Sequence, residues 1–174
     1  MTETKHCSFL INVNKENKIK CSIINEQNEE ILIKINDTQK EEYLPITIEF
    51  DMNEILIGKT TENTIIFMEE WMTNPTEFKK YKISYQGKEE EVIAEVLFAL
   101  LINKFKKKIE KDYIIDEVIV EIAQQIYKSF ILRLTTSIES LGLKNIEINP
   151  LENEEYQTQG EILHTILSKK RRIQ

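Results

Sequence analysis

The residue types in this chain that could hold a metal ion are few and widely spaced. The two cysteines and two histidines are His6, Cys7, Cys21 and His164. A closed zinc site needs four ligands held together, and His164 lies far along the chain from the other three. We therefore predict no metal site, with buried thiols and an exposed imidazole at His6.

Acidic and aromatic clusters are the next candidates for chemistry. Glutamates occur together at residues 89–91, and again at positions 152, 154 and 155. Without glycines or a fixed partner, such clusters are typical of solvated turns rather than of acid-base pairs. Trp71 stands close to Phe67, Met68 and Met72, which predicts either a groove for a partner or part of the core. We favour the core.

Two basic runs stand out in a chain whose 23 Lys and Arg against 30 Asp and Glu give a net charge of -7. That charge argues against sequence-blind binding of nucleic acid by the whole chain, but not against a local patch. The first run is Lys104, Lys106, Lys107, Lys108 and Lys111, near a predicted helix end, where the helix dipole favours cations. The second is Lys169, Lys170, Arg171 and Arg172, which suits either rRNA phosphates or a solvated terminus.

Length and composition indicate a single domain. With 174 residues, 41% of them hydrophobic, the chain can bury a sizeable core, so we assign residues 1–174 to one unit. No apolar stretch follows the polar start, and no run approaches the ~20 apolar residues of a membrane span. With only two cysteines, we expect a reducing, cytoplasmic setting and no membrane partner.

The order of predicted elements indicates the fold class. Residues 8–13, 19–25 and 30–35 are short β-rich runs that predict an antiparallel meander. Apolar spacing then predicts helices at 94–110 and 127–141, each followed by a strand, at 117–122 and 145–148. A last helix is predicted at 160–170. The elements and their order are those of an α/β, ribonuclease-H-like or actin-like ATPase half-domain: a mixed sheet with helices on both faces, and residues 41–93 as a reduced inserted subdomain.

Several segments resemble the nucleotide-binding domain of heat shock protein 70 (DnaK-type) chaperones. They are Tyr43-Leu44-Pro45-Ile46-Thr47-Ile48-Glu49-Phe50, Ile55-Leu56-Ile57-Gly58, and Ile119-Val120-Glu121-Ile122-Ala123 through Gly142-Leu143. Asn63-Thr64-Ile65-Ile66, followed by Trp71-Met72 and Pro75, is similar to the atypical, non-hydrolysing chaperone subunit of the ribosome-associated complex. The resemblance covers the first lobe only. It implies an actin-like ATPase fold without the lobe that closes over the nucleotide in that family.

The residues that hold nucleotide in that family are replaced here. Its first phosphate loop has an Asp, a Gly and two hydroxyl residues, where this chain has Asn12, Asn14, Lys15 and Glu16. Asn12 cannot supply the charge that orients metal-bound water, and Glu16 would repel a triphosphate. Asn14 replaces the glycine that lets backbone approach phosphate. The family's catalytic lysine falls on Glu69. These five residues are either a vestigial nucleotide loop or ordinary surface and turn residues.

The resemblance implies a catalytically inactive, chaperone-like scaffold, a reduced ribosome-associated-complex-type subunit that acts in co-translational folding. We expect no cofactor and no catalytic residue, and a J-domain-type co-chaperone or a ribosomal protein as partner, with rRNA contacting the basic tail. The apolar candidates for partner binding are Ile162, Leu163, Ile166 and Leu167. Two alternatives stay open: an ATP-binding chaperone ATPase domain completed by another chain, and a ribosome-bound structural protein. A ribonuclease-H-type nuclease is disfavoured because Asn12 stands where its first carboxylate would be.

Overall fold

The structure is a computed structural model that describes residues 3–74 and 77–151. Its strands are β1 (His6–Val13), β2 (Lys18–Asn25), β3 (Glu30–Leu32), β4 (Leu44–Pro45), β5 (Thr47–Asp51), β6 (Glu54–Ile57), β7 (Ile65–Ile66), β8 (Lys80–Tyr85), β9 (Lys88–Ile93), β10 (Ile114–Ile122) and β11 (Ile146–Pro150). Its helices are α1 (Met68–Thr73), α2 (Ala94–Ile109) and α3 (Lys128–Glu139). The helix predicted at 160–170 lies outside the described residues.

The main sheet is mixed and has the order β11-β10-β1-β2-β3, with β4 paired to the start of β2. Strands β1, β2 and β3 form the predicted antiparallel meander. Strand β10 runs parallel to β1, and β11 runs parallel to β10. The α/β class and the mixed sheet are therefore confirmed. Strand β10 begins three residues before its predicted start, because Ile114 and Ile115 pair with His6 and Cys7 ahead of a register shift.

The core lies on one face of this sheet. Every second residue along β1 and β10 points to this face. Four of these residues are fully buried: Phe9, Ile11, Val118 and Val120. Helices α1, α2 and α3 place their apolar stripes in the same cluster, which includes Met68, Trp71, Leu97, Phe98, Leu101, Phe105, Phe130, Leu134 and Ile138. The four-residue and three-residue spacing of these positions is what predicted α2 and α3 from the sequence.

On the opposite face of the main sheet the predicted helix stays a prediction, because residues 160–170 lie outside the described residues. There the alternating positions are mostly polar, as at Ser8, Asn12, Lys20 and Glu117, and none of α1 to α3 buries its apolar residues against them. Among the residues that the structure describes, helices cover one face only. Leu10 and Ser22 lie on this face as a cross-strand pair, and both are buried.

Residues 41–93 pack into the same core as the main sheet. Strands β5, β6 and β7 form a small antiparallel sheet, and β8 and β9 form a hairpin. Ile48 is fully buried in the cluster, and the Trp71 ring lies 4.8 Å from that of Phe130 and 5.6 Å from that of Phe98, between ring centroids. Trp71 is therefore a core residue, as predicted. Its cluster joins this segment to α2 and α3.

Helix α3 is joined to α2 and ends where a glycine permits it. The Ser137 hydroxyl, which is buried, donates to the Glu95 carbonyl of α2 at 2.6 Å. Beyond the last turn of α3, Gly142 has a φ of 80° and its N–H donates to the Glu139 carbonyl at 2.9 Å. A residue with a side chain is disfavoured at that φ, which explains why the helix stops there.

None of the helices in 3–74 and 77–151 has the length and apolarity needed to cross a membrane.

Candidate functional site

The carboxyl ends of the three parallel strands meet at one edge of the main sheet. The Ala123 N–H, just after β10, donates to the Val13 carbonyl at 2.8 Å, and the Leu151 N–H, just after β11, donates to the Ile122 carbonyl at 2.6 Å. Ligands of open α/β sheets bind outside the carboxyl ends of the strands. This edge is also where the predicted vestigial loop begins, so it is the candidate site.

The turn from β1 to β2 is held by the side chain of its first residue. The Asn14 Oδ1 accepts the N–H groups of Glu16 at 3.0 Å and of Lys18 at 2.9 Å. The Asn17 N–H donates to the Asn14 carbonyl at 3.1 Å, and Asn17 has a φ of 59°. Asparagine tolerates this left-handed conformation. Two of the amides that a phosphate loop would offer to a ligand are thus already bound within the turn.

The turn from β2 to β3 has the same construction. The Asn25 Oδ1 accepts the N–H groups of Gln27 at 3.0 Å and of Glu29 at 2.9 Å. The Asn28 N–H donates to the Asn25 carbonyl at 3.0 Å, and Asn28 has a φ of 60°. Both turns share the pattern Asn-x-x-Asn. The first turn therefore needs no ligand to explain its shape, since local side-chain chemistry produces it twice.

A glutamine that follows β10, Gln124, closes the first turn on its other side. The Gln124 Nε2 donates to the Asn14 carbonyl at 3.2 Å and also to the Asn17 Oδ1. This links the residues after β10 to a turn that lies 110 residues earlier in the chain. The amide therefore bridges the gap between the end of β10 and the turn.

Beside this glutamine lies an open cleft of about 480 Å³. Within the described part of the chain, the residues that line it are Met72, Thr73, Gln124, Gln125, Ile126, Tyr127, Pro150 and Leu151. None of them carries a charge. The side chain of Tyr127 is largely exposed, and that of Leu151 is partly so. An uncharged cleft with apolar side chains and two amides suits a segment of polypeptide better than a polyphosphate.

The face of the main sheet that lies away from α1 to α3 carries a polar row near the same edge. Lys20, Asn12, Glu121 and Asn149 are paired in register across β2, β1, β10 and β11. The row supplies a single carboxylate, whereas two-metal chemistry needs several. Among residues 3–74 and 77–151, no group of three or more His, Cys, Asp or Glu side chains could hold a metal ion.

The predicted loop residues are only partly brought together. Asn12 lies within β1 and is half-buried, whereas Lys15 and Glu16 are exposed in the turn. Glu69 is exposed on α1, the helix that supplies Met72 and Thr73, but it is not among the described residues that line the cleft. The partner-binding candidates at positions 162, 163, 166, 167 and 169–172 lie outside the described residues.

The two thiols are buried, as predicted. Cys7 and Cys21 are buried, and burial raises the pKa of Cys7 to about 11 and that of Cys21 well above its ordinary value. Both thiols are therefore protonated and poor ligands at neutral pH. The His6 Nδ1 lies 2.9 Å from the Asp116 Oδ1, so a neighbouring carboxylate engages the half-exposed imidazole.

Sequence reasoning missed Gln124 and the cleft. One signal could have found the glutamine, because Gln124 and Gln125 directly follow a buried strand, where binding residues of α/β sheets are expected. No local pattern indicates that Tyr127 and Leu151 line one cleft with Met72 and Thr73.

Comparisons with known proteins do not assign the chain to a family. A scan against models of protein families found no match, and a search of curated proteins found none with significant similarity.

Proposed function

We propose that this protein is a catalytically inactive, chaperone-like scaffold that binds a polypeptide partner in co-translational folding. The observation that carries the proposal is the turn after β1, at the position of the family's phosphate loop. Its amides are bound by the Asn14 side chain, and its far side is held by Gln124. A loop built in this way stabilises the sheet and has few free donors to offer a phosphate.

The strand order supports the ribonuclease-H-like or actin-like half-domain as the finer fold. In the order β11-β10-β1-β2-β3, the meander strands lie on one side of β1 and the parallel strands on the other. The connection from β10 to β11 contains α3, as expected for a parallel pair of strands. Residues 41–93 are then the reduced insertion between the meander and α2.

The charges at the edge oppose ATP binding. Asn12 and Asn14 are neutral, Glu16 and Glu69 are exposed carboxylates, and no lysine or arginine lines the adjacent cleft within the described residues. A triphosphate with its Mg²⁺ needs carboxylate oxygens for the metal and cations or free amides for the phosphates. The proposal therefore excludes an ATPase that a second chain would complete.

The cleft supports a protein partner. An apolar, uncharged depression rimmed by Tyr127 and Leu151 fits a peptide side chain or a short helix, and the resemblance suggests a J-domain-type co-chaperone or a ribosomal protein as its source. The basic tail at 169–172 would add contacts to rRNA phosphates.

Calorimetric titration with Mg-ATP tests the inactive site. We expect no heat of binding for the natural chain. The triple variant Asn12→Asp, Asn14→Gly, Glu69→Lys should also bind nothing, since the turn keeps Gln124 and gains no enclosing lobe. A dissociation constant in the micromolar range for the natural chain would overturn the proposal.

Co-sedimentation with ribosomes, with and without a J-domain partner, tests the scaffold role. We expect the double variant Tyr127→Ala, Leu151→Ala to lose the partner-dependent fraction. Leu132→Ala is the matched control, because Leu132 is equally exposed on α3 but lies outside the cleft. The idea fails if the natural chain stays out of the ribosomal fraction at low salt in the presence of its partner.

A further inference from the structure

The helix α2 carries a stripe of lysines at its carboxyl end. Its members are Lys104 and the lysines three, four and seven residues after it, Lys107, Lys108 and Lys111. Residues at this spacing lie along one side of a helix. Lys111 follows the C-cap residue Glu110, whose backbone is still helical, and continues the stripe. We call these four residues the lysine stripe.

Ion pairing differs among the lysines at the carboxyl end of α2. Of the α2 lysines, Lys106 is paired, with its Nζ 2.6 Å from the Glu110 Oε1. Within the described part of the chain, none of the four stripe residues has a carboxylate within ion-pair distance. Most other lysines of the described residues also lack an ion pair, so these four are distinguished by their spacing along one side of the helix.

The helix dipole explains only part of this arrangement. The dipole favours cations within about the last turn of a helix, and its effect is worth roughly 0.3–1 kcal/mol per charge. Lys107 and Lys108 lie in that turn, but Lys104 precedes it and Lys111 lies beyond the C-cap. The stripe therefore extends about one turn further than the dipole accounts for.

The surroundings of Lys111 contain a further cation, an aromatic ring and three carboxylates. The Ile114 N–H donates to the Lys5 carbonyl at 2.8 Å, which brings the amino end of β1 beside the residues that follow α2. Lys5, Lys111 and Tyr113 line one shallow depression there, together with the acidic Glu3, Glu110 and Asp112. This is the amino edge of the parallel strands, opposite the candidate cleft.

We propose that the lysine stripe is a binding surface for the phosphate backbone of nucleic acid, independent of the chaperone resemblance. From Lys104 to Lys111 the stripe extends about 10 Å, at about 1.5 Å per helix residue. Successive phosphates of one nucleic-acid strand are about 3.4 Å apart along the duplex axis, so the stripe spans about three phosphates. A row of cations without a groove makes sequence-independent contacts to phosphates.

A membrane surface fits the same stripe less well. Helices that bind lipid headgroups through lysines also insert an apolar face. The apolar face of α2 is buried in the core, with Phe98, Ile102 and Phe105 each 1% exposed or less. An acidic peptide would need a groove to fix its path, and the stripe lies on a convex helix surface. Nucleic-acid phosphates are therefore the partner that the observations favour.

Fluorescence anisotropy with a labelled RNA duplex tests the proposal on the whole chain. The stripe variant changes Lys104, Lys107, Lys108 and Lys111 to Gln. The control variant changes Lys59, Lys88, Lys128 and Lys144 to Gln; these are exposed lysines outside the stripe, and the net charge changes equally. Both are measured with residues 169–172 replaced by Ala, so that the tail does not contribute.

We expect the slope of log affinity against log salt, between roughly 50 and 200 mM, to become shallower by about 2–3 in the stripe variant, at roughly 0.7–0.9 for each of about three lost contacts. The control variant should keep the slope, and a stripe variant with Arg at all four positions should restore it. Equal losses in both Gln variants would overturn the proposal, since total charge would then be the cause. Binding to vesicles that contain phosphatidylserine, without binding to RNA, would also overturn it.

Discussion

Asn14 and Asn25 begin turns of the same construction. The contribution of the Asn14 side chain to stability can therefore be compared with that of Asn25. We expect Asn14→Ala and Asn25→Ala each to lower the free energy of unfolding by about 1–2 kcal/mol, because each leaves two main-chain N–H groups without their acceptor. Urea denaturation measures both. If Asn14→Ala is neutral while Asn25→Ala is destabilising, the first turn is held by something other than its own side chain.

His6 links the stability of the fold to pH. The hydrogen bond to Asp116 and then the charge of that carboxylate raise the pKa of His6 above its usual 6.5. The folded chain therefore favours the protonated imidazole, and this stabilisation is fully present below the unfolded pKa and is lost as pH rises through the folded pKa. We expect the urea midpoint of the natural chain to fall, relative to His6→Ala, as the pH increases from about 6 to 8.

Asp116→Asn is the matching control for this histidine, because it removes the hydrogen-bonded carboxylate and leaves the ring. It should return the His6 pKa towards its ordinary value in an NMR titration. If the pH dependence of the urea midpoint is unchanged in both variants, another group is responsible for it.

At the level of elements, Arg133 joins α3 to α2 and to the segment before β8. Its guanidinium pairs with the Glu95 carboxylate, donates to the Glu77 carbonyl at 3.0 Å and lies 4.5 Å from the centre of the Phe78 ring. The Glu95 and Arg133 side chains are each only 12% exposed. We expect Arg133→Met to lower the free energy of unfolding by about 3 kcal/mol, because it leaves a largely buried carboxylate without its partner.

A second substitution separates the charge from the packing of this arginine. Adding Glu95→Gln to Arg133→Met should recover a large part of the loss, since the amide is neutral. Phe78→Ala should cost less than Arg133→Met, because Phe78 is 65% exposed. Thermal unfolding of the four proteins gives the comparison. Failure of the double variant to recover stability would mean that the arginine acts through contacts other than that with Glu95.

At the scale of the whole molecule, residues 41–93 and the main sheet share one core. Ile46, Ile48, Ile57 and Phe67 belong to the same cluster as β1, β2 and β10. We therefore expect a single cooperative unfolding transition. The fluorescence of Trp71, the one tryptophan of the chain, reports the junction between the segment and the helices, and circular dichroism reports the sheet. The two urea midpoints should coincide.

A core substitution in the segment makes this test sharper. Ile48→Ala, at a fully buried position of β5, should shift both midpoints together and lower the free energy of unfolding by about 2–5 kcal/mol. Met52→Ala is its control on the same hairpin, since Met52 is 81% exposed. A fluorescence midpoint that moves while the circular dichroism midpoint does not would show that the segment unfolds independently.

Local patterns of the sequence determined the meander, α2, α3 and the two asparagine turns. Alternation in β1 and β2, the apolar stripes of α2 and α3, and Gly142 all act over a few residues, so each can be recognised without knowing its neighbours in space. The exposure of Lys15 and Glu16 follows in the same way from a turn that satisfies its own amides.

The tertiary structure decided the rest, because it depends on contacts between distant residues. The register that pairs Asn12 with Glu121, the closure of the first turn by Gln124, and the cleft between α1 and the ends of β10 and β11 all join segments far apart in the chain. Only the folded sheet shows that α1, α2 and α3 share one face. Burial on that face is a property of how the layers pack, and no window of the sequence contains both layers.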